Sequence, residues 1–327
     1  FYNNIDNVIL DNRNADVLKI IVSGCNKDEI LEVVNYALEY EDVYLTLGFH
    51  PDCATKVSDE DINWLRKILV ENEKVIGVGE IGLDYHYGKE DKVLQLDLFA
   101  KQLKIAEELN LPVVIHSRDA TEDTINMLKN FKVKGVIHCF SGSLETAKTY
   151  IKMGYYLGIG GVVTFKNSKL GTTLQSLSLD NIVLETDSPY LAPVPYRGSL
   201  NSSKNIPVIA EYIANLYDVS VQEVAEKTTE NVKKIYPNIS LGTVYRNLSL
   251  LSEIGEIQKL SNFGGADHFD GCVTPHCHFM CTACGNVLDL ETEGMDDLIE
   301  KAGRNFSGKI TACDIRFFGT CLKCMNK

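Results

Sequence analysis

Four apolar runs of this chain end in a residue that binds metals well: VIGVG runs into Glu80, PVVI into His116, KGVI into His138, and NIVLET into Asp187. One histidine at a strand end most often caps a loop, but four such residues in phase form a pattern. Imidazole and carboxylate together suit zinc, manganese or magnesium, and a carboxylate bridges two such ions. Ions of this kind acidify water near neutral pH and neutralise charge gathering on a phosphorane or tetrahedral intermediate. The chemistry these residues point to is metal-dependent hydrolysis. Ser141 does not compete as a nucleophile, because no GxSxG elbow or Asp-His pairing accompanies it.

A second set of ligands lies near the end. Cys281-x-x-Cys284 and Cys321-x-x-Cys324 have the short inner spacing of zinc knuckles, and four thiolates around one tetrahedral zinc supply folding free energy that a small core lacks. Disulfides or free buried thiols are the competing readings, and the opening residues carry no secretory signal to favour a disulfide framework. Beside the knuckles stand Asp270, His276, His278 and Asp289, of which His276 and His278 are i and i+2 and face one side of a strand. Nitrogen and oxygen ligands of this kind suit exchangeable iron, manganese or zinc. Of ten cysteines, only Cys25, Cys53 and Cys139 precede residue 272, so cysteine usage alone marks two domains.

The elements that must position these residues follow from hydrophobic period. Between Val17 and about Tyr236, β-branched runs near 17–22, 43–48, 75–79, 112–116, 134–138, 155–160 and 182–186 alternate with amphipathic stretches such as Leu96, Phe99, Leu103 and Ala106. That rhythm predicts an α/β fold with a parallel sheet covered by helices. An open doubly wound sheet competes, but only a barrel brings the carboxyl ends of all strands to one rim, where the four ligands meet. Seven strands is one short of a closed (β/α)8 barrel. After Tyr236 the pattern changes to a helix from Leu241 to Leu251 capped by Ser240, a hairpin around Gly264-Gly265, and strands at 276–282, 286–290 and 309–318 with a helix near 295–305. The expected domains are 1–236, a metal-dependent hydrolase barrel, and 237–327, a small α+β unit.

With 45% hydrophobic and 24% charged residues over 327 positions, the chain is an ordinary globular protein of two domains, and disorder or a fibrous repeat is excluded. No apolar run reaches the ~18 residues of a membrane span, so no membrane partner is expected and a cytoplasmic location is. A net charge of −13 excludes a broad basic field, so phosphate groups must be met by local arginines or bound cations. The chain opens at Phe1, which reads as a fragment's start.

GEIGLDYH (79–86), LPVVIHSRDA (111–120), IHCFSGS (137–143), LGIGG (157–161) and LETDSPYLAPVPYRG (184–198) resemble the TatD-type deoxyribonuclease family over about residues 1–236. The resemblance implies a (β/α)8 barrel acting on DNA with divalent magnesium, manganese or zinc. It implies further that Glu80 bridges two ions, that His116 and His138 hold the second, and that Asp187 binds the first and helps deprotonate water. His50 in GFHP, Arg118 in HSRDA and Arg197 in PYRG read as substrate-side residues, since an arginine fork fits phosphate oxygens. Asp84 and His86 read as orienters of the ligands. Family members usually carry a His-x-His pair on their first strand; none of the seven histidines lies near the amino end, and the absent strand accounts for the count of seven.

YPNISLGTVYRNLSLLSEIGEIQKL (236–260), PHCHFMCTACGNVLDL (275–290) and IRFFGTCLKC (315–324) resemble the Fur family, nearest its peroxide-sensing PerR-type repressors. That likeness implies a partial DNA-binding winged helix followed by a dimerisation domain, with structural zinc on Cys281, Cys284, Cys321 and Cys324. It implies a regulatory iron or manganese on Asp270, His276, His278 and Asp289, and a homodimer on operator DNA. Thr243, Tyr245, Arg246 and Asn247 would be the DNA contacts of the recognition helix. The composite reading is a nuclease barrel lacking its first strand, joined to a repressor lacking its first helices. An ester or amide hydrolase barrel and an inactive chimera are the competing readings.

Overall fold

The computed structural model describes residues 5–237, 239, 252, 258–263, 266–270, 272, 276–284, 287–290, 301, 304, 307–308 and 315–325. The chain divides into two compact units, Phe1–Ile239 and Ser240–Lys327. In the first, the elements run α1 (Ile5–Asn14), β1 (Ile20–Gly24), α2 (Lys27–Glu39), β2 (Val43–Leu47), α3 (Asp59–Glu71), β3 (Val75–Asp84), α4 (Lys92–Leu109) and β4 (Val113–Arg118). They continue α5 (Thr121–Leu128), β5 (Gly135–Ile137), α6 (Leu144–Lys152), β6 (Tyr156–Ile159), α7 (Leu170–Leu174), β7 (Ile182–Leu184), α8 (Ile206–Tyr217) and α9 (Val221–Ile235). The seven strands form one sheet in sequence order, and every neighbouring pair is parallel. All seven expected strands are present; β3 runs on to Asp84 where the sequence suggested a stop at Gly79, and α1 precedes them unforeseen.

Local chemistry starts the helices where the alternation ends. Asn26, Ser143 and Ser220 each accept a backbone N–H at the first turns of α2, α6 and α9, and Ser58 with Asp61 makes a full capping box on α3. Asn110 and Asp218 end α4 and α8 in the left-handed region, at φ 52° and 55°.

The sheet is curled. Tyr44 of β2, Ile76 of β3, Val136 of β5 and Val183 of β7 belong to one buried cluster, which a flat seven-stranded sheet would keep apart. Side chains two apart on a strand share a face, so Val114 and His116, Val136 and His138, and Val183 and Glu185 point into the bore together, apolar below and polar at the carboxyl rim. The opposite faces of the strands, with Leu45, Leu47, Val78, Ile115 and Ile137, pack against the helices in the main core.

The floor of the bore is filled by the end of the unit itself. Ile235, Tyr236 and Ile239 join the strand residues of the inner cluster, and the Lys19 Nζ donates to the Ile239 carbonyl at 2.8 Å. Tyr236 is 3% exposed, and burial, then the charge of Glu185, pushes its phenol far up. The stretch that reads in sequence as a junction is core of the barrel.

In the second unit β8 (Gln258–Phe263) and β9 (Ala266–Asp270) form an antiparallel pair. β10 (Cys277–Cys281) lies between β11 (Val287–Leu290), antiparallel to it, and β12 (Ile315–Gly319), parallel to it; α10 (Leu322–Met325) follows. The expected helix at 241–251 lies outside the described residues, as does nearly all of that near 295–305. No helix among the described residues is long and apolar enough to cross a membrane.

If Tyr236 is core, Tyr236→Ala leaves a cavity in the bore and destabilises the chain by about 3–5 kcal/mol, the range for truncating a buried aromatic ring. Urea denaturation of the two proteins measures this. A midpoint unchanged from the parent would place Tyr236 outside the core.

Candidate metal centres

Glu80 owes its position to a bulge and to glycines. Between the pairs Val78↔Val113 and Ile81↔Ile115 the β3–β4 register shifts, with one extra residue on β3. A Cβ on Gly79 would lie 2.6 Å from Val114 Cβ, and one on Gly82, at φ 149°, 2.0 Å from the His116 carbonyl oxygen. Only glycine lets β3 press so closely on β4. The result sets the Glu80 carboxylate, 14% exposed, beside the end of β4.

Three histidines converge there, and each is held by a carboxylate of its own. His50, in the turn after β2, has its Nδ1 2.7 Å from Asp52 Oδ1. His116 donates from Nε2 to Asp84 Oδ2 at 3.1 Å and from Nδ1 to Glu80 Oε1 at 2.6 Å. His138, after β5, donates from Nδ1 to Glu185 Oε2 at 2.8 Å, and its Nε2 lies 3.3 Å from Asp187 Oδ1 and 3.8 Å from Glu80 Oε1. The other Glu185 oxygen accepts the Cys139 N–H at 2.7 Å. Cys139 and Asp187 both take left-handed φ, 46° and 55°, a sharp turn of the chain at each ligand-bearing strand end.

The electrostatics follow. Burial raises the Glu80 carboxyl pKa, but the His138 charge and the His116 hydrogen bond outweigh it and hold the pKa at about 2. Burial lowers His116, yet its hydrogen bonds to Asp84 and Glu80 bring it up to about 9. His138 is raised well above the ordinary imidazole range, the charges of Glu185 and Glu80 overcoming burial. Both imidazoles thus carry positive charge against the Glu80 carboxylate. Deprotonated imidazoles and carboxylates are the donor set for a borderline divalent ion, so the residues fit the metal that the sequence implied.

Within the barrel, the ligand atoms of His50, Glu80 and His116 lie within 4.8 Å of one another. His138 faces the same Glu80 oxygen as His116 does, and Asp187 reaches His138, at the distances above. Asp84 orients His116 directly, whereas His86 pairs with Asp119 at 2.9 Å and takes a backbone bond to Asp84. The Arg118 guanidinium sits 5.4 Å from the centre of the Tyr87 ring, and that of Arg197 3.9 Å from Phe165. The sequence reading missed Glu185 and Asp52. Glu185 was findable: it stands two residues before Asp187 and two after Val183, and so on the inward face.

In the second unit Cys281, Cys284, Cys321 and Cys324 bring their sulfurs within 4.8 Å of one another, and no disulfide joins them. The Cys321 N–H bonds Cys281 Sγ at 3.3 Å and lowers its pKa to about 6. Asp270, His276, His278 and Asp289 form a second group of the same tightness. His276 and His278 place Nε2 3.1 Å and 3.2 Å from Asp270 Oδ2, and β10–β11 pairing sets His278 opposite Asp289.

Residues 1–237 match the family model for TatD-related DNases. The chain belongs to that family. Among its relatives are two named uncharacterized metal-dependent hydrolases: YabD of Bacillus subtilis, 39% identical over 236 residues, 71% of this chain and 92% of the relative, and YcfH of Escherichia coli, 36% identical over 239 residues, 72% and 89%. The crystal structure of YjjV, a TatD homologue from Escherichia coli, superposes with a TM-score of 0.69 at 31% identity, covering 72% of this chain and 93% of that one. The barrel unit is thus a metal-dependent hydrolase of the TatD type with the fold expected. Residues 202–318 match the ferric uptake regulator family. That match begins well before Tyr236, so α8 and α9 fall under both models, although Asn231 of α9 ties itself to the carbonyls of Leu179 and Ile182 in the barrel.

Glu185 holds His138 by its Nδ1, so Glu185→Gln loosens the imidazole and weakens manganese uptake at the barrel by roughly 10–100-fold. Uptake by the tail is a separate class of sites in the same titration and stays unchanged. Equal affinity in parent and variant would remove Glu185 from this role.

Proposed function

We propose that the barrel hydrolyses phosphodiester bonds of DNA, and that residues 237–327 form a Fur-type, metal- or peroxide-responsive repressor module that dimerises on operator DNA. The observation that carries the first part is the Glu80 carboxylate, whose Oε1 faces His116 Nδ1 at 2.6 Å and His138 Nε2 at 3.8 Å, with Asp187 Oδ1 3.3 Å from that same His138 nitrogen. A divalent magnesium, manganese or zinc held there supplies Lewis-acid charge and acidified water. Glu80, His116, His138 and Asp187 are the residues to hold it.

Asp187 accepts the proton from attacking water. With 32% of its side chain exposed, against 14% for Glu80 and 16% for Glu185, it is the carboxylate of this group most open to solvent. Its carbonyl receives the Tyr190 N–H at 2.8 Å, and Tyr190 with Leu191, Phe165 and Arg197 among others lines a cleft of about 440 Å³. A phosphate arriving along this cleft meets Arg197, with Arg118 beyond β4 as the second fork. In a chain of net charge −13 these local cations do the recognition.

For the tail, the four-cysteine group supports structural zinc and the Asp270, His276, His278 and Asp289 group supports an exchangeable iron or manganese. The proposed operator contacts Thr243, Tyr245, Arg246 and Asn247 lie outside the described residues; their support is the sequence pattern and the family match.

Two variants of the full chain separate these functions. His116→Ala abolishes manganese-dependent cleavage of DNA and of bis(p-nitrophenyl) phosphate while one tight zinc per chain remains. Cys284→Ser loses that zinc and the dimer while bis(p-nitrophenyl) phosphate is still cleaved. Ester hydrolysis without phosphodiester hydrolysis in the parent would overturn the nuclease reading, and a dimer that survives loss of zinc would overturn the tail's.

A further inference from the structure

We infer that Tyr190 stacks on a nucleobase of the DNA strand, and that the cleft it lines is the subsite for a nucleoside beside the phosphate under attack. The inference rests on the reading of the barrel as a nuclease and adds the group that meets a base. The loop that follows Asp187 turns apolar side chains to solvent. Tyr190 is 69% exposed and Leu200 74%, and Leu191, Val194 and Tyr196 are exposed beside them. Apolar groups gathered in this way on one loop mark a binding surface.

The backbone of that loop is braced. The fully buried Asn201 donates from its side-chain amide to the carbonyls of Thr186 at 2.7 Å and Tyr190 at 2.8 Å, and from its backbone N–H to that of Pro189 at 2.9 Å. The Val194 N–H bonds Thr164 Oγ1 at 2.9 Å. Leu191 takes φ 54°, and its carbonyl oxygen comes so near Gly161 that a Cβ there would lie 2.2 Å from it. A leucine in the left-handed region costs conformational energy, and strain of this sort persists where a site needs it. A loop free to relax would cover its tyrosine; this one is fixed with the ring outward.

The chemistry of the cleft names its occupant. Its volume of about 440 Å³ lies within the range of roughly 300–1,000 Å³ for small-molecule sites. Arg197 is the one charged residue among those that line it, and its guanidinium lies 3.9 Å from the centre of the Phe165 ring, which also lines it. A guanidinium stacked by its face keeps its N–H edge for phosphate oxygens. One aromatic face for a flat base and one cation for its phosphate together match a nucleotide. The Tyr190 N–H bonds the Asp187 carbonyl at 2.8 Å, so one turn of backbone carries both the stacking ring and the carboxylate that accepts a proton from water. Stacking on Tyr190 then sets which phosphate of the strand is presented.

A single-stranded thymidine oligonucleotide and its abasic copy, in which tetrahydrofuran replaces every nucleoside, test this with the full chain in manganese. The parent is expected to show a KM about 5–150-fold higher for the abasic strand, the value of one stacked base. Tyr190→Ala collapses that ratio toward one, whereas Tyr190→Phe and Tyr190→Trp keep it. A ratio unchanged in Tyr190→Ala, or a ratio of one in the parent, overturns the subsite and leaves the nuclease reading standing. A parent that cleaves neither strand while hydrolysing esters overturns both.

Discussion

A carboxylate carried into the bore of a barrel loses the water that would solvate it, and it stays ionised there only if positive charge or donors face it closely. Glu80 is that group. The bulge in β3, the two glycines that press β3 onto β4, and the imidazoles of His116 and His138 all serve to put this charge inside and to satisfy it. The same arrangement forces the imidazoles to be held, since a loose cation would not compensate a fixed anion. Asp84 and Glu185 do so. Buried ion pairs contribute little net stability; this group is therefore explained better by the divalent charge it can accept than by the fold.

The apolar lower half of the bore makes that concentration of charge tolerable. Strand positions two apart share a face, so each inward valine below is followed by an inward ligand or orienter above. Tyr236 and its neighbours complete the lower layer from the end of α9. The helix pair α8–α9 packs on the barrel, yet it falls within the stretch that matches the ferric uptake regulator family. One segment of sequence thus satisfies two families' patterns while making one set of contacts.

Much of this was legible in the residues. The seven strands followed from β-branched runs, and Glu80, His116, His138 and Asp187 followed from their phase at strand ends. Both tail ligand groups followed from spacing and strand period. What was hidden is instructive. Glu185 and Asp52 bind nothing at long range in the sequence, and their role exists only once folding sets them 2.8 Å and 2.7 Å from a histidine nitrogen. The closeness of His50 to Glu80 depends on the curl of the sheet, which no local pattern encodes. The inward course of Tyr236 was obscured because the same letters, YPNIS, also read as the lead-in to a DNA-binding helix.

The central claim is that the metal-free barrel keeps Glu80 ionised by holding protons on His116 and His138, and that a divalent ion replaces those protons. Side-chain nitrogen shifts of histidine in nitrogen-15-labelled, chelator-treated protein at pH 7 measure this directly. The account predicts that His116 and His138 carry a proton on both nitrogens, and that each gives one up when zinc is added. Neutral rings at both positions before zinc is added would contradict it.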